Sequence, residues 1–487
     1  MENLGLMDQL FYKADQYQVA SMVMGGVSVL EPASPKGRLN ARELADHMAA
    51  RLEKIPLMRQ KFVQDPLRLG SVRKVEDPEF DISEHILLDS LSVPGGYREL
   101  TAAISEISAR PLTLTELWRW TILDGLEGGR VAVMCQMHHA LFDGLGALQA
   151  LGSIYDPKPV AAEKPSADYD SAQSEKGAYA LLTDAIRESS RRLLITTPRF
   201  WINNTVPMLN AASGGLANIL RDGPGRLAMP EASSTSLNIN QWSPNRSLAY
   251  RTMSLARIKR LSKYFQVTVN DIALSIFSHA LDHYFESIGE EVDFDLWSAM
   301  PVSTRTDDGK GGNQIVTALM NLHNSIVDPQ ERLDAISSDT RQAKQAARPE
   351  EGSFDVGAMG ELVPPLLMDG LLFLAGKLNL MGKMGNSVTV FNALLSNVPG
   401  PQQPMYVANA RPVESIPLIP PLDIIALSAG ITSVGDSLTL GFLCDSEHVV
   451  DPELFGEGAE LGLALLESVK ASAKSPPGRK KVKKASG

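Results

Sequence analysis

Two adjacent histidines stand where a short apolar run ends and an Asp-Gly pair follows. They are His138 and His139, and the pair after them is Asp143 and Gly144. Imidazole has an ordinary pKa close to neutrality, so it can accept and return a proton at cellular pH. Neighbouring residues at a strand end point in opposite directions, so one histidine can face a cleft while the other packs inward. A turn could bring the Asp143 carboxylate back towards the histidines, and the segment predicts acid–base chemistry.

Other kinds of site have less support in the sequence. His279 and His283 have the i, i+4 spacing of two zinc ligands, but the glutamate of an HExxH motif is missing, so we expect no metal site. No GxSxG, GxxxxGK[ST] or GxGxxG segment follows a predicted strand. Serine hydrolase, P-loop and dinucleotide-binding mechanisms therefore lack their residues. A purely structural pair, in the core or on the surface, is the alternative for His138 and His139.

Alternating and helical patterns predict the elements that position the histidines. Residues 131–137 are mostly apolar, which is typical of a strand buried on both faces. Asp-Gly and Gly-Gly pairs join it to a predicted strand over 118–123, and a helix is expected to open at Leu145. Other helices are predicted over 41–55 (with Asn40 as N-cap), 100–108, 179–195, 256–264, 270–288, 329–346 and 460–471, and other strands over 293–300, 388–395 and 437–444.

A capping pattern precedes one of these helices. Thr268, Val269, Asn270 and Asp271 match [ST]-x-x-[DE], which makes Asp271 most simply a capping residue. Asn270 would then lie in the first turn. Its amide could hold substrate or developing negative charge, or it could make a structural hydrogen bond.

The composition is ordinary for a globular protein, and the succession of predicted helices and strands indicates two α/β (α+β) regions joined by long connections. The chain has 487 residues, of which 44% are hydrophobic and 21% charged. We predict a first domain over 1–156, a linker with helices over 157–248, a second domain over 249–472 and a basic disordered tail over 473–487.

Charge and cysteine content limit the partners and the compartment. A net charge of -11 disfavours nucleic acid, which is bound through lysine and arginine. Cys135 and Cys444 lie far apart in sequence, and the N-terminus lacks a signal-peptide pattern, so we expect a cytoplasmic protein. Residues 363–381 predict a helix that is buried or lies on a membrane face. The basic tail is either simply solvated or attaches to anionic lipid.

Residues 138–144 form an HHxxxDG motif that resembles the mark of coenzyme A-dependent acyltransferases of the chloramphenicol acetyltransferase-like superfamily. Further segments resemble the wax ester synthase/diacylglycerol acyltransferase family in particular. In chain order they are residues 7–11 (MDQLF), 25–26 (GG), 80–86 (FDISEHI), 270–271 (ND), 301–305 (PVSTR), 312–313 (GN) and 396–401 (SNVPGP). One segment departs from the family pattern: residues 110–118 carry Thr113 and Glu116 where the family has an aspartate and a second proline.

The resemblance implies two chloramphenicol acetyltransferase-like domains with an active-site tunnel between them. It implies that His139 is the general base, that Asp143 serves mainly structure and that Asn270 faces the site from the other domain. Residues 396–401 are then either a rigid turn or a part of the coenzyme A entry. The catalytic candidates are His138, His139, Asp143 and Asn270, and the substrate-binding candidates are Gly144, Asp271, Ser396, Asn397, Pro399 and Gly400.

The resemblance also implies an activity, namely transfer of a fatty acyl group from acyl-coenzyme A to a long-chain alcohol or diacylglycerol. The products would be wax esters or triacylglycerol, with no acyl-enzyme and no cofactor. The expected partners are these substrates and a membrane or lipid-droplet surface. Two alternatives stay open: a same-fold enzyme with a different acceptor or a carrier-bound donor, and a non-catalytic lipid-surface protein.

Overall fold

The structure of this chain is a computed structural model, and it describes most of the residues. The described ranges are 2–17, 21–34, 37–68, 70–110, 112–113, 115–141, 152–165, 178–191, 232–240, 243–303, 315–346, 365–378, 389–398, 400, 403–419, 422 and 424–474. Asp143, Gly144, Pro399, the predicted helix opening at Leu145 and the basic tail from residue 475 onwards lie outside these ranges.

Helices and strands alternate along the described chain. The helices are α1 (Leu6–Gln16), α2 (Ala41–Leu52), α3 (Ile82–His85), α4 (Tyr97–Ser108), α5 (Ala178–Arg191), α6 (Leu255–Phe265), α7 (Val269–Ile288), α8 (Pro329–Ala346), α9 (Pro365–Lys377) and α10 (Glu453–Lys474). The strands are β1 (Glu2–Asn3), β2 (Val23–Pro32), β3 (Gln60–Val63), β4 (Arg73–Glu76), β5 (Ile86–Ser90), β6 (Trp118–Leu126), β7 (Arg130–His138), β8 (Arg246–Ser254), β9 (Trp297–Ser303), β10 (Ile315–Asn321), β11 (Ala393–Val398), β12 (Ala410–Leu418), β13 (Leu427–Val434) and β14 (Ser437–Asp445).

Two larger sheets form the body of the protein. One has five strands in the order β12-β2-β7-β6-β5, and the other has six in the order β10-β9-β11-β13-β14-β8. Helices pack against both, which confirms the predicted α/β class. No helix among the described residues is long and apolar enough to cross a bilayer.

The five-stranded sheet places β7 at its centre, between β2 and β6. The residues of β7 from Val131 to His138 are all buried, as the apolar run predicts, because separate hydrophobic clusters cover the two faces of the sheet. The hairpin to β6 is also confirmed, and Gly128 adopts the positive φ that its turn requires.

Strand β12 crosses the boundary predicted from the sequence. Its residues belong to the second predicted domain, but they pair with β2 in the first sheet. The strand was missed because Pro412 and Pro417 cannot donate to a sheet ladder. The structure accommodates them at the sheet edge, with a register shift between Pro412 and Glu414. The start of the second predicted domain also falls inside β8, which begins at Arg246.

The two sheets meet where β12 leaves the second half of the chain. A Cβ atom on Gly430 of β13 would lie 2.6 Å from Pro417 Cβ, and one on Gly441 of β14 would lie 2.7 Å from the Pro417 carbonyl oxygen. The glycines therefore let β12 lie directly on the six-stranded sheet. We call this contact of β12 with β13 and β14 the seam.

Several predicted boundaries shift for identifiable reasons. Asn40 caps α2 as predicted, since its side chain accepts from the backbone N–H groups of Arg42 and Glu43. The helix nevertheless ends at Leu52, because a residue before a proline disfavours helical geometry and Ile55 is extended ahead of Pro56.

The last helix is longer than predicted, since α10 begins at Glu453 rather than at residue 460. Its early glycines lower helix propensity, but they are needed for packing. A Cβ on Gly458 would lie 2.8 Å from Ala280 Cα of α7. Two strands are also displaced: β9 starts later than residue 293, and β11 later than residue 388.

Candidate active site

Backbone hydrogen bonds fix the end of β7 from both sides. The N–H of His138 donates to the Leu117 carbonyl at 2.8 Å, and the N–H of His139 donates to the Met22 carbonyl at 2.8 Å. Each of these acceptors precedes a neighbouring strand, β6 or β2. The backbone of the pair is therefore held at the strand tip, and helix α1 packs against both rings.

The two rings lie in different surroundings. His138 is 1% exposed, and the rings of Tyr12 and Phe62 approach it with centroid distances of 6.2 and 6.5 Å. His139 is half-buried, and its ring lies 4.4 Å from the Phe11 ring. His138 is thus an interior residue, while His139 keeps access to solvent.

His138 is also fixed by its ring nitrogens. Its Nδ1 accepts the backbone N–H of Ala140 at 3.1 Å, which assigns the proton of the neutral ring to Nε2. That Nε2 lies 3.5 Å from Asp15 Oδ2, a distance longer than a hydrogen bond. Among the described residues, no hydrogen-bond partner is found for this buried Nε2.

His139 is arranged to stay uncharged. Burial lowers its pKa, hydrogen bonding to its own backbone opposes this, and the neighbouring His138 lowers it further. Its Nδ1 is buried and makes no hydrogen bond within the described chain. We therefore expect Nε2, rather than the buried Nδ1, to be the nitrogen that exchanges a proton.

The second half of the chain contributes an amide pair. Asn270 is half-buried in the first turn of α7, and its Oδ1 accepts the Nδ2–H of Asn397 at 2.6 Å. Asn397 lies near the end of β11, where it pairs with Ile431 of β13. Because Asn397 binds the oxygen of Asn270, this contact leaves the Nδ2 donors of Asn270 unused.

Asp271 lies in the interior rather than at a substrate surface. It is 1% exposed, and it forms the predicted capping box with Thr268. Its two oxygens also accept the Ser337 hydroxyl at 3.2 Å and the Thr340 hydroxyl at 2.7 Å. The structure therefore corrects its assignment as a substrate-binding residue. Asp271 joins α7 to α8 and fixes the turn that carries Asn270.

Gly400, just after β11, lies against the backbone of Ser433 in β13. A Cβ atom on Gly400 would lie 1.5 Å from the Ser433 carbonyl oxygen, so no other residue fits without moving β13. Ser396 is half-buried and pairs with Gly430 at the seam.

Strand register relates the two parts of the site. Cys135 of β7 pairs with Gly26, Gly26 pairs with Pro417, Pro417 lies on Gly430, and Gly430 pairs with Ser396. The histidines follow Cys135 along β7, and Asn397 follows Ser396. No hydrogen bond or ring contact between described residues joins His139 to Asn270.

Two described residues of the segment that departs from the family pattern, Glu116 and Trp118, make defined contacts. The Glu116 carboxylate binds the Arg119 guanidinium through two hydrogen bonds of 2.7 and 2.6 Å. The Trp118 indole N–H donates to the Met58 carbonyl at 2.7 Å, and the His85 ring stacks on Trp118 at 4.4 Å. His85, in the FDISEHI segment, is thus a packing residue.

Helix α1 holds the site residues that the sequence did not reveal, namely Phe11, Tyr12 and Asp15. The available signal was their helical spacing within and just after the MDQLF segment, which brings Phe11 and Asp15 onto one face. Nothing in the sequence alone pairs that face with a strand tip more than 100 residues later.

Comparison with known proteins places this arrangement in an acyltransferase family. Residues 4–273 match the wax ester synthase/diacylglycerol acyltransferase catalytic domain, and residues 311–467 match the WS/DGAT C-terminal domain. A Mycobacterium tuberculosis protein named "putative diacylglycerol O-acyltransferase" is 30% identical over 79% of this chain and 80% of its own length. Another from that species, named "probable diacylglycerol O-acyltransferase tgs1", is 26% identical over 96% of each chain.

Solved structures agree on the fold. A wax ester synthase/diacylglycerol acyltransferase from Marinobacter aquaeolei VT8 matches with a TM-score of 0.67 at 23% identity, covering 97% of this chain and 100% of the other. The first condensation domain of the calcium-dependent antibiotic synthetase matches with a TM-score of 0.52 at 13% identity, covering 96% and 95%. These neighbours have the predicted chloramphenicol acetyltransferase-like fold.

The fold and the family matches together define an acyltransferase. The chain belongs to the wax ester synthase/diacylglycerol acyltransferase family.

The amide pair generates a prediction. Asn397→Asp replaces the donor to Asn270 Oδ1 with a carboxylate, so the Asn270 amide should turn its Nδ2 towards residue 397 and away from a ligand. We expect kcat/KM for acyl transfer to fall by about tenfold or more, because removing one oriented donor costs about 10²–10³-fold and this variant misdirects the donor rather than removing it. The measurement is steady-state acyl transfer by purified variants of equal thermal stability.

Asn40→Asp is the matched control, because aspartate caps a helix as well as asparagine does and the α2 cap should be kept. Transfer by Asn397→Asp at the wild-type rate would show that the amide pair does not orient Asn270 for the reaction.

Proposed function

We propose that this protein transfers a fatty acyl group from acyl-coenzyme A to the hydroxyl of a long-chain alcohol or diacylglycerol, with His139 as general base. The observation that carries the proposal is the His139 ring, fixed at a strand tip, half-buried, and with its pKa lowered by burial. A neutral imidazole with one free nitrogen is what a base needs in order to act near neutral pH.

The reaction follows from that single base. His139 Nε2 takes the hydroxyl proton as the alcohol oxygen attacks the thioester carbonyl. When the C–S bond breaks, the imidazolium returns the proton to the leaving thiolate, so the histidine is regenerated and no acyl-enzyme or cofactor is needed. A general base contributes about 10²–10⁴-fold, and holding both substrates in place contributes much of the remainder.

The Asn270 amide supplies the complementary group. Negative charge develops on the carbonyl oxygen during attack, and an oriented N–H donor stabilises it more than it stabilises the ground state. Asn397 takes the Asn270 oxygen, so the Asn270 Nδ2–H groups are the ones available for this task. His138 and Asp271 serve as supports, since both are almost fully buried.

The family supports this substrate class over the two alternatives. Its printed description names wax ester synthesis and diacylglycerol acylation, and relatives are named diacylglycerol O-acyltransferases. A carrier-bound donor would be the condensation-domain chemistry, and the similarity to such a domain at 13% identity concerns the fold alone. A non-catalytic protein would not need an uncharged, half-buried imidazole at position 139.

We also propose that the protein works at a lipid surface, through the outer face of α9. Leu371 and Leu374 are each about half exposed there, and Leu378 follows on the same side just after the helix. Phe373, also about half exposed, lies on the side of the helix towards Tyr17. Large apolar side chains gathered on one helix face favour burial in the headgroup region of a bilayer. The predicted helix over 363–381 corresponds to α9.

Aromatic and cationic side chains edge this face, as is typical of interfacial segments. The Tyr17 ring lies 5.8 Å from the Phe373 ring, the Arg68 guanidinium lies 5.6 Å from the centre of the Tyr17 ring, and Lys377 Nζ lies 6.0 Å from that of Phe373. Such cations attract anionic headgroups. A hydrophobic acceptor dissolved in the lipid would then be delivered close to α1.

The first test is the His139→Ala variant with palmitoyl-coenzyme A and hexadecanol, diacylglycerol or no acceptor. We expect acceptor-dependent thiol release to fall by about 10²-fold or more while the variant keeps its fold, because no other base replaces the imidazole. Thiol release and ester product are both measured, together with thermal unfolding.

His283→Ala, which removes a half-buried imidazole from α7, is the control and should transfer acyl groups normally. His139→Ala transfer within a few-fold of wild type would exclude His139 as the base. Thiol release by the wild type without any acceptor dependence would exclude the O-acyltransferase proposal.

The second test is the double variant Leu371→Gln, Leu374→Gln. It should weaken binding to phosphatidylcholine/phosphatidylglycerol vesicles by about tenfold, because two half-exposed leucines lose their burial in lipid. Vesicle flotation measures the binding, and acyl transfer in detergent should be unchanged.

A matched control exchanges two exposed valines elsewhere, Val327→Gln and Val450→Gln, and should bind vesicles as the wild type does. Equal binding by the wild type and the α9 variant would contradict the proposed lipid face.

A further inference from the structure

One ring nitrogen of His138 is hydrogen-bonded, and the other has no hydrogen-bond partner among the described residues. The Ala140 N–H occupies Nδ1, so the proton of the neutral ring sits on Nε2. This Nε2 is buried and, within the described ranges, makes no hydrogen bond. A buried N–H without an acceptor destabilises a fold. A nearby anion or hydrogen-bond acceptor would therefore stabilise the His138 ring in this position.

Asp15 is the charged group that the structure brings to this nitrogen. Its Oδ2 lies 3.5 Å from His138 Nε2, within ion-pair range but slightly beyond a hydrogen bond. The carboxylate is about one-fifth exposed, whereas the imidazole is sealed by the protein. It therefore sits between solvent and the buried N–H.

Helix α1 links this carboxylate to the proposed base. Phe11 and Asp15 are four residues apart, which puts them on one face of the helix. Phe11 contacts the ring of His139 and Asp15 approaches the ring of His138. One helix face therefore touches both rings of the pair, each with a different kind of side chain.

A buried ion pair holds α1 in this orientation. Lys13 Nζ lies 2.7 Å from the Asp369 carboxylate of α9, and both side chains are almost fully buried. Tyr17 donates to the same carboxylate at 2.9 Å. Lys13 also donates to Gln16 Oε1 at 3.0 Å. The helix is thus fixed by groups other than Asp15, so Asp15 can be changed without releasing α1.

We propose that Asp15 is a positioning residue for the histidine pair. Its carboxylate keeps the proton of His138 on Nε2 and so preserves the Nδ1 contact with Ala140, which orders the turn on which His139 sits. Without it, the His138 ring is free to exchange its proton between the two nitrogens, and His139 loses its fixed direction. This role of Asp15 rests on the proposed function in one respect, namely that His139 is the base whose direction affects the reaction.

The test compares Asp15→Leu, Asp15→Asn and Asp15→Glu. Leucine removes the acceptor at similar size, and glutamate restores a carboxylate. We expect Asp15→Leu to lower kcat about tenfold or more with KM within twofold, and Asp15→Glu to recover most of that loss. Asp15→Asn, which keeps size and removes charge, should also lower kcat, and it serves if the leucine variant does not fold.

Nitrogen NMR of ¹⁵N-histidine-labelled protein without substrate supplies an independent measurement. His138, assigned by its loss in His138→Gln, should show a single Nε2–H tautomer in the wild type and in Asp15→Glu, and a mixture in Asp15→Leu. The exposed Glu106→Gln variant is the control and should change neither kcat nor the tautomer.

Two outcomes overturn the proposal: kcat within twofold of wild type in both Asp15→Leu and Asp15→Asn, or a large loss of kcat in Asp15→Leu with the His138 tautomer unchanged. The tautomer result does not depend on acyl transfer. A tautomer change in a protein that shows no acyl transfer at all would support the role of Asp15 and contradict the proposed function.

Discussion

The hydrogen bonds that end β7 are the constraint on which the rest of the site depends. One neighbouring segment accepts the N–H of His138 and the other accepts the N–H of His139, so the backbone of both residues is fixed at the strand tip. At this tip His138 is an interior residue, while His139 is only half-buried. Burial at this strand tip also lowers the pKa of His139, so the same surroundings provide both the position and the neutral charge of the proposed base.

The seam extends this arrangement to the second half of the chain. Strand β12 leaves that half, completes the first sheet beside β2 and rests on two glycines of the other sheet. Asn397, which binds Asn270, follows Ser396 in β11, and Asp271 anchors the turn that carries Asn270. The proposed reaction, with a base from one half and a donor from the other, therefore depends on β12 tying the two sheets together.

Local signals in the sequence were sufficient for much of this account. The histidine pair, the strand that carries it, the Asn40 cap and the capping box of Thr268 and Asp271 all depend on residues within a few positions of one another. The remaining features depend on distant contacts. The prolines of β12 argue against a strand unless its edge position is known. The role of Asp15 depends on its contact with the ring of His138, which lies 123 positions later in the chain. Asp271 was misassigned because the motif marks it without showing that Ser337 and Thr340 bind both of its oxygens.

The dependence of kcat/KM on pH tests the central claim, which is that a neutral His139 is the base. Because burial lowers the pKa of His139 below its ordinary value of 6.5, the free base is present above that lowered pKa and is lost as pH falls through it. Acyl transfer should therefore rise with pH and reach half its plateau below pH 6.5. A midpoint above that value, or a rate that does not fall in acid while the protein remains folded, would contradict the account.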